Sequence, residues 1–282
     1  MKTKTAAAKK RTKNFLLSGP YVIWMAGFIL IPLLVVVYYG FTTKDGAFTL
    51  ENITAIADPV NLKALGLALG LSFICTVICI LLAYPLAMIL ANLKMKSGSL
   101  IALLFILPMW MNFLLRTLAW LTLLEKNGVI NNFLRLLHLP TLNIINTPGA
   151  IVLGMVYNFL PFMILPIYNS LHRMDRSVIN AARDLGANSI QTFGRVIFPL
   201  SLPGVISGIT MVFVPSLTTF VISNILGGSK ILLIGNVIEQ KFKVGNNWNA
   251  GSGLSLVLMV FIIISMVLMA KYDKDSEGSG LW

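Results

Sequence analysis

Along the chain, long apolar runs alternate with short polar stretches. Six runs approach or exceed the roughly 20 residues that cross a bilayer: Leu17–Tyr39, Leu65–Leu90, Leu100–Leu124, Gly149–Leu171, Leu200–Leu226 and Leu254–Ala270. Each is apolar on all sides, which predicts helices surrounded by lipid or by one another. The fold class expected is therefore an all-α membrane protein with six transmembrane helices. One polar stretch, Asp175–Gly204, keeps helical order of its own. Val178, Ala181, Ala182 and Leu185 fall at i, i+3, i+4 and i+7, one face of a short helix. Asp175 is its expected cap and Gly186 its expected stop. A second helix starts at Asn188, with Gln191 three residues on as in a capping box. Its apolar positions are Ile190, Phe193 and Ile197, and Pro199 is its expected end. The stretch reads as two short helices joined at a glycine and presented at a membrane surface.

Composition agrees with the pattern: 57% of residues are hydrophobic and 11% charged, against about a quarter charged in soluble domains. The net charge of +12 raises the question of nucleic acid, but its distribution points to topology. Fourteen basic residues lie on one side of the spans, from Lys2 through Lys94, Arg173, Arg176, Arg183 and Arg195 to Lys274; seven, including Lys63 and Lys243, lie on the other. The positive-inside rule then places both termini and the helix pair in the cytoplasm of a multi-pass protein of the cell membrane. The basic tail, residues 1–16, is explained by topology and by attraction to anionic membrane lipids, with no nucleic-acid partner. The first span and its external loop fill 17–64, and the apolar stretch of that span is too long for a signal peptide. The body formed by the remaining spans fills 65–270, and the charged tail 271–282 is expected to be unordered.

Catalytic patterns are absent. Cys75 and Cys79 lie four apart without a His or acidic neighbour, so they read as packing residues, and no metal spacing appears. His138 and His172 are isolated. No phosphate-binding loop occurs, and no span contains Asp or Glu for proton or sodium coupling. The energy for any transport must come from another chain. Polar residues inside the spans mark a candidate path. Asn112, Arg116 and Trp120 recur at i, i+4 and i+8, one stripe of the third span. Arg116 has two readings, a charge facing protein or water and an anchor snorkelling to the interface. The loop Glu125–Thr147 predicts a short amphipathic helix. Tyr157, Asn158 and Pro161 in span four, and Pro203, Gly204, Gly208 and Pro215 in span five, predict interrupted helices or close helix packing.

Three segments carry a resemblance. Asn180-Ala181-Ala182, Gly186 and Val196-Ile197-Phe198-Pro199 resemble the EAA motif, the cytoplasmic coupling loop of type I ABC importer permeases. The resemblance assigns Asn180, Ala181, Ala182, Asp184, Gly186 and Pro199 to docking on an ATPase subunit. The family's usual Glu is Asn180 here, and a neutral hydrogen bond is weaker than a charged one. Pro108–Leu124, with its Arg-Thr-x-Ala-Trp run, and Val221–Phe242 resemble the spermidine/putrescine permease family, in which the position of Asn224 is often acidic. The resemblance implies a subunit that translocates polyamines by alternating access and is no enzyme itself. Its implied partners are a second permease subunit, two ATP-binding subunits and an extracytoplasmic polyamine-binding protein. No cofactor is expected on this chain, since ATP and Mg belong to the ATPase subunits. The candidate path residues are Trp110, Asn112, Arg116, Trp120, Tyr157, Asn158 and Asn224. Trp110 and Tyr157 would offer aromatic faces to the cation, with acidic contacts supplied mainly by the partner permease and the binding protein. The alternatives are an importer of another solute (sulfate, molybdate, iron or another organic cation) and a membrane scaffold without a path.

Overall fold

The computed structural model of the protein describes residues 19–93, 107–228 and 230–278. The basic tail and residues 94–106 lie outside the described residues. The long helices are α1 (Gly19–Gly40), α2 (Pro59–Asn92), α5 (Pro148–Arg173), α7 (Ser189–Thr218) and α10 (Trp248–Gly278), and each holds a stretch long and apolar enough to cross a membrane. Shorter helices are α3 (Phe113–Leu124), α4 (Val129–Leu136), α6 (Arg176–Asp184), α8 (Val221–Leu226) and α9 (Ile234–Lys243). The described residues divide into two compact units, one within 1–58 and 240–259, the other within 59–239 and 260–282.

In the smaller unit, two asparagines take the carbonyls left open where α1 ends. Asn52 Nδ2 donates to Gly40 O at 3.3 Å and to Thr42 O at 2.9 Å, and Asn249 Nδ2 donates to Thr42 O at 2.6 Å. Such side-chain partners relieve the open carbonyls of a helix end. Gly40 and Gly253 allow this closeness: a Cβ at Gly40 would strike the Leu256 side chain, and one at Gly253 the Asn52 carbonyl. The most apolar window of α1 has no buried residue in this chain.

In the larger unit, α2, α5 and α7 pack together. The buried stripe of α2 is built from small residues, with Ala64, Ala68, Cys75, Cys79, Ala83 and Ala87 all within it. Both thiols are free and buried, as packing residues would be. The hydroxyls of Tyr84 on α2 and Ser201 on α7 meet at 2.7 Å. On α7, Gly204 lies against the Pro166 carbonyl and Ser170 of α5.

The structure departs from the sequence reading in several elements. The third span is not a single helix in its described part. Leu107–Trp110 forms a 3₁₀ turn, the chain breaks at Asn112, and α3 has 12 residues, about 18 Å at 1.5 Å per residue. Its first residues, 100–106, lie outside the described residues. Asn112 is thus the cap of α3 and not a member of its stripe: its Oδ1 accepts from Leu114 N at 2.8 Å. The expected span Leu200–Leu226 ends at Thr218, and Val221–Leu226 is the separate helix α8. Helices α5 and α7 are not interrupted at Pro161, Pro166, Pro203 or Pro215. In α7, the hydroxyls of Ser201, Thr210, Ser216 and Thr218 each donate to a carbonyl of the preceding turn. The backbone of α10 continues to Gly278 where an unordered tail was expected. A helix already nucleated extends at small cost per residue.

Candidate functional site

The helix pair is built almost wholly from local chemistry. Asp175 Oδ1 accepts from Ser177 N at 2.9 Å, and the Ser177 side chain first, then this backbone N–H, lower the pKa of the carboxyl. At the far end of α6, Gly186 has φ +83°. Gly186 N donates to Arg183 O at 2.9 Å and Ala187 N to Ala182 O at 3.0 Å, the two bonds of a Schellman motif. Asn188 then forms a complete capping box: Gln191 N donates to Asn188 Oδ1 at 2.8 Å, and Asn188 N to Gln191 Oε1 at 3.0 Å.

Pro199 does not end the second helix. Ser189–Thr192 passes through a π-turn, Phe193–Ile197, into Phe198–Thr218 without a break. Phe198 N reaches back five residues to Phe193 O, and the widened turn immediately precedes the residue that has no N–H to give.

The pair is anchored at its root and open at its tip. Arg176 Nη2 donates to Ala91 O at the end of α2, 3.2 Å away, and Phe193 sets its ring edge-on to Tyr84 at 5.6 Å. Asn180, Ala181, Asp184, Gly186 and Pro199 are exposed, and Ala182 is half-buried. Leu185 and Ile190 are 89% and 82% exposed. A Cβ at Gly186 would meet nothing within 4 Å. Two large apolar side chains and a bare glycine at a rigid turn form a surface suited to a partner's groove.

The candidate path residues fall into separate places. Trp110 is 78% exposed. The ring partner of Tyr157 is Trp120, at 5.3 Å and 70°. With Leu71, Val152 and Leu160 these two rings line an apolar cleft of about 660 Å³. Arg116 is buried, and its Nε and Nη1 have no hydrogen-bond partner among the described residues. Asn158 is buried and spends its amide on Gly154 O of its own helix at 2.9 Å.

Asn224, on α8, joins a network that sequence spacing does not reveal. Its Nδ2 donates to Glu239 Oε2 at 2.9 Å, and its Oδ1 accepts from Asn236 Nδ2 at 2.7 Å. Asn236 is buried, donates also to Phe220 O at 3.1 Å, and accepts from Leu233 N at 2.9 Å. The sequence reading missed Asn236 and Glu239. The signal available was their place in the Ile-Gly-Asn-Val-Ile-Glu run, but nothing local pairs Glu239 with a residue fifteen positions earlier. Among the described residues no group of three His, Cys, Asp or Glu side chains could hold a metal ion.

In the larger unit three long apolar helices, α2, α5 and α7, pack together, and the capped helix pair lies in the chain between α5 and the membrane-spanning part of α7. The solved structure of a bacterial ABC transporter involved in the import of the acidic polysaccharide alginate has this fold: the TM-score is 0.80 at 15% identity, over 96% of this chain and 99% of the other. The chain belongs to the family of binding-protein-dependent transport system inner membrane components, whose model matches residues 83–276. Curated relatives include the spermidine/putrescine transport system permease protein PotB of Haemophilus influenzae, 38% identical over 260 residues, 89% of this chain and 91% of the relative. The protein of the same name from Escherichia coli is 38% identical over 257 residues, 88% of this chain and 93% of the relative. The protein is thus a multi-pass membrane permease subunit.

Proposed function

We propose that this chain is the permease subunit of an ATP-driven importer of polyamines, spermidine and putrescine. The observation that carries the substrate class is the 38% identity, sustained over nearly nine-tenths of the chain, to relatives named for spermidine and putrescine. ATP hydrolysis, with its Mg, resides on two separate ATP-binding subunits, and this chain carries no cofactor. A second permease subunit completes the pathway, and an extracytoplasmic binding protein delivers the solute. Asp175–Gly204 is the coupling loop, and the exposed Leu185 and Ile190 beside Gly186 support that role. Closure of the ATPases moves α6, and its Arg176 tie to the end of α2 carries the motion into the bundle.

The test is uptake of radiolabelled spermidine by the reconstituted complex, with ATP and binding protein present. Saturable, ATP-dependent uptake is expected; import of sulfate, molybdate or iron without polyamine would replace the substrate assignment. In the same assay Trp110→Phe and Tyr157→Phe should transport near the wild-type rate, while Trp110→Leu and Tyr157→Leu should be impaired. A cation over an aromatic face gains roughly 0.5–2 kcal/mol, a factor of about two to thirty. Equal rates for Phe and Leu at both positions would remove these rings from the path.

The fourteen-to-seven distribution of basic residues supports cytoplasmic termini. In a background with Cys75 and Cys79 replaced by Ala, a membrane-impermeant thiol reagent should label Lys63→Cys and Lys243→Cys in sealed cells and leave Lys10→Cys unlabelled. Labelling at position 10 would invert the topology.

A further inference from the structure

We propose that Tyr84 is a positioning residue of the transport cycle: it clamps the π-turn of α7 to α2, so that movement of the helix pair reaches both helices together. The proposal rests on the coupling role given to that pair above. Helix α7 carries the second helix of the pair into the bundle without a break, and Phe193–Ile197 is its widened turn. Pro199 follows closely and has no N–H to give. In α2, Pro85 stands beside Tyr84 inside the helix, so α2 also lacks a backbone donor next to Tyr84. Thr192, which precedes the π-turn, is buried, and its hydroxyl has no hydrogen-bond partner among the described residues. A turn so incomplete in hydrogen bonding is where α7 yields most readily.

Tyr84 closes that joint from the neighbouring helix. Its ring meets Phe193, the first residue of the π-turn, edge-on at 5.6 Å, and Phe198, the residue after the turn, at 5.9 Å. The two phenylalanine rings are 6.2 Å apart, so three rings pack as one cluster across the turn. The Tyr84 hydroxyl meets Ser201 Oγ at 2.7 Å. Ser201 Oγ itself donates to Phe198 O at 2.9 Å. A serine hydroxyl has one proton, so with that proton on Phe198 O the Tyr84 hydroxyl is the donor to Ser201. Both residues are buried, and linked hydrogen bonds shielded from water strengthen one another. One side chain of α2 thus holds three positions of α7, one in the π-turn and two beyond it. Arg176 ties α6 to the end of α2 by an exposed bond; Tyr84 makes a second, buried tie to the other arm of the pair.

The experiment measures spermidine uptake and ATP hydrolysis together in the full reconstituted complex, with binding protein present, and the thermal unfolding midpoint of each variant. Tyr84→Phe keeps the ring and leaves Ser201 bonded to Phe198 O, so no buried donor is orphaned and the midpoint should stay near wild type. Uptake per ATP hydrolysed should fall roughly two- to tenfold, the range of one hydrogen bond. Tyr84→Leu also removes the ring contacts and should lower that ratio further. Ser201→Ala should lower the ratio and the midpoint as well, because it leaves the Tyr84 hydroxyl buried without its acceptor. An unchanged ratio in both Tyr84→Phe and Tyr84→Leu overturns the inference and leaves the permease function standing. Uptake and hydrolysis that fall in proportion in Tyr84→Phe, with a lower midpoint, also overturn it, since that is the mark of a structural role. Absence of polyamine uptake by the wild-type complex overturns the function itself, and this inference with it.

Discussion

Leu185→Asp and Ile190→Asp are each expected to abolish ATP-driven uptake while leaving the protein folded in the membrane. At 89% and 82% exposure these side chains make almost no packing contribution to their own chain, so their loss leaves the bundle intact. Their value lies in a partner's groove. Burying one such side chain there is worth about 1.5–3 kcal/mol, and an unpaired carboxylate in its place adds a desolvation cost. Ala182→Asp, half-buried on the same helix, should act in the same direction. Gly186→Val acts through the backbone: at φ +83° a residue with a Cβ meets a penalty of about 1–2 kcal/mol, although the space around it is open. Asn180→Glu should be tolerated or should strengthen association, because it replaces a neutral hydrogen bond with a charged one. Co-purification of the ATPase subunits and ATP-driven uptake are the measurements. Unchanged association in both Leu185→Asp and Ile190→Asp would remove the helix pair from the coupling role.

That helix pair was legible in the sequence because its chemistry is local. Asp175, Gly186, Asn188 and Gln191 each act within three residues of the group they satisfy, and every one of these caps is present. The amphipathic helix of the loop Glu125–Thr147 was legible for the same reason, and α4 spans Val129–Leu136. Pro199 misled because the helix does not stop there: the π-turn at Phe193–Ile197 carries it past the residue that lacks an N–H. Hydropathy could not show the break at Asn112, since the residues on both sides are equally apolar. The pairing of Trp120 with Tyr157 and of Asn224 with Glu239 depends on which helices pack together, and a single sequence holds no record of that.

Helix packing also sets apart two glycines that look equivalent in the sequence, and Gly204→Ala is expected to destabilise the protein more than Gly208→Ala. Both face α5 from α7, four residues apart. A Cβ at Gly204 would lie 2.6 Å from the Pro166 carbonyl oxygen and 2.6 Å from Ser170 Cβ. Neither atom can step aside without moving the backbone of α5. At Gly208 the nearest atom is Met163 Sδ, also at 2.6 Å, and a methionine side chain can swing away. The Met163 backbone beyond it, at 3.3 Å, leaves room for one methyl group after a small shift. Small residues let membrane helices approach this closely, and their packing drives association where lipid supplies no hydrophobic force. Overpacking costs about 1–3 kcal/mol. Gly204→Ala should reach that range, Gly204→Val should exceed it and prevent recovery of folded protein, and Gly208→Ala should fall below it. The measurement is the thermal unfolding midpoint of the detergent-solubilised protein, compared among the variants at equal purity. A lower midpoint for Gly208→Ala than for Gly204→Ala would mean that α5 and α7 do not make their closest approach at Gly204.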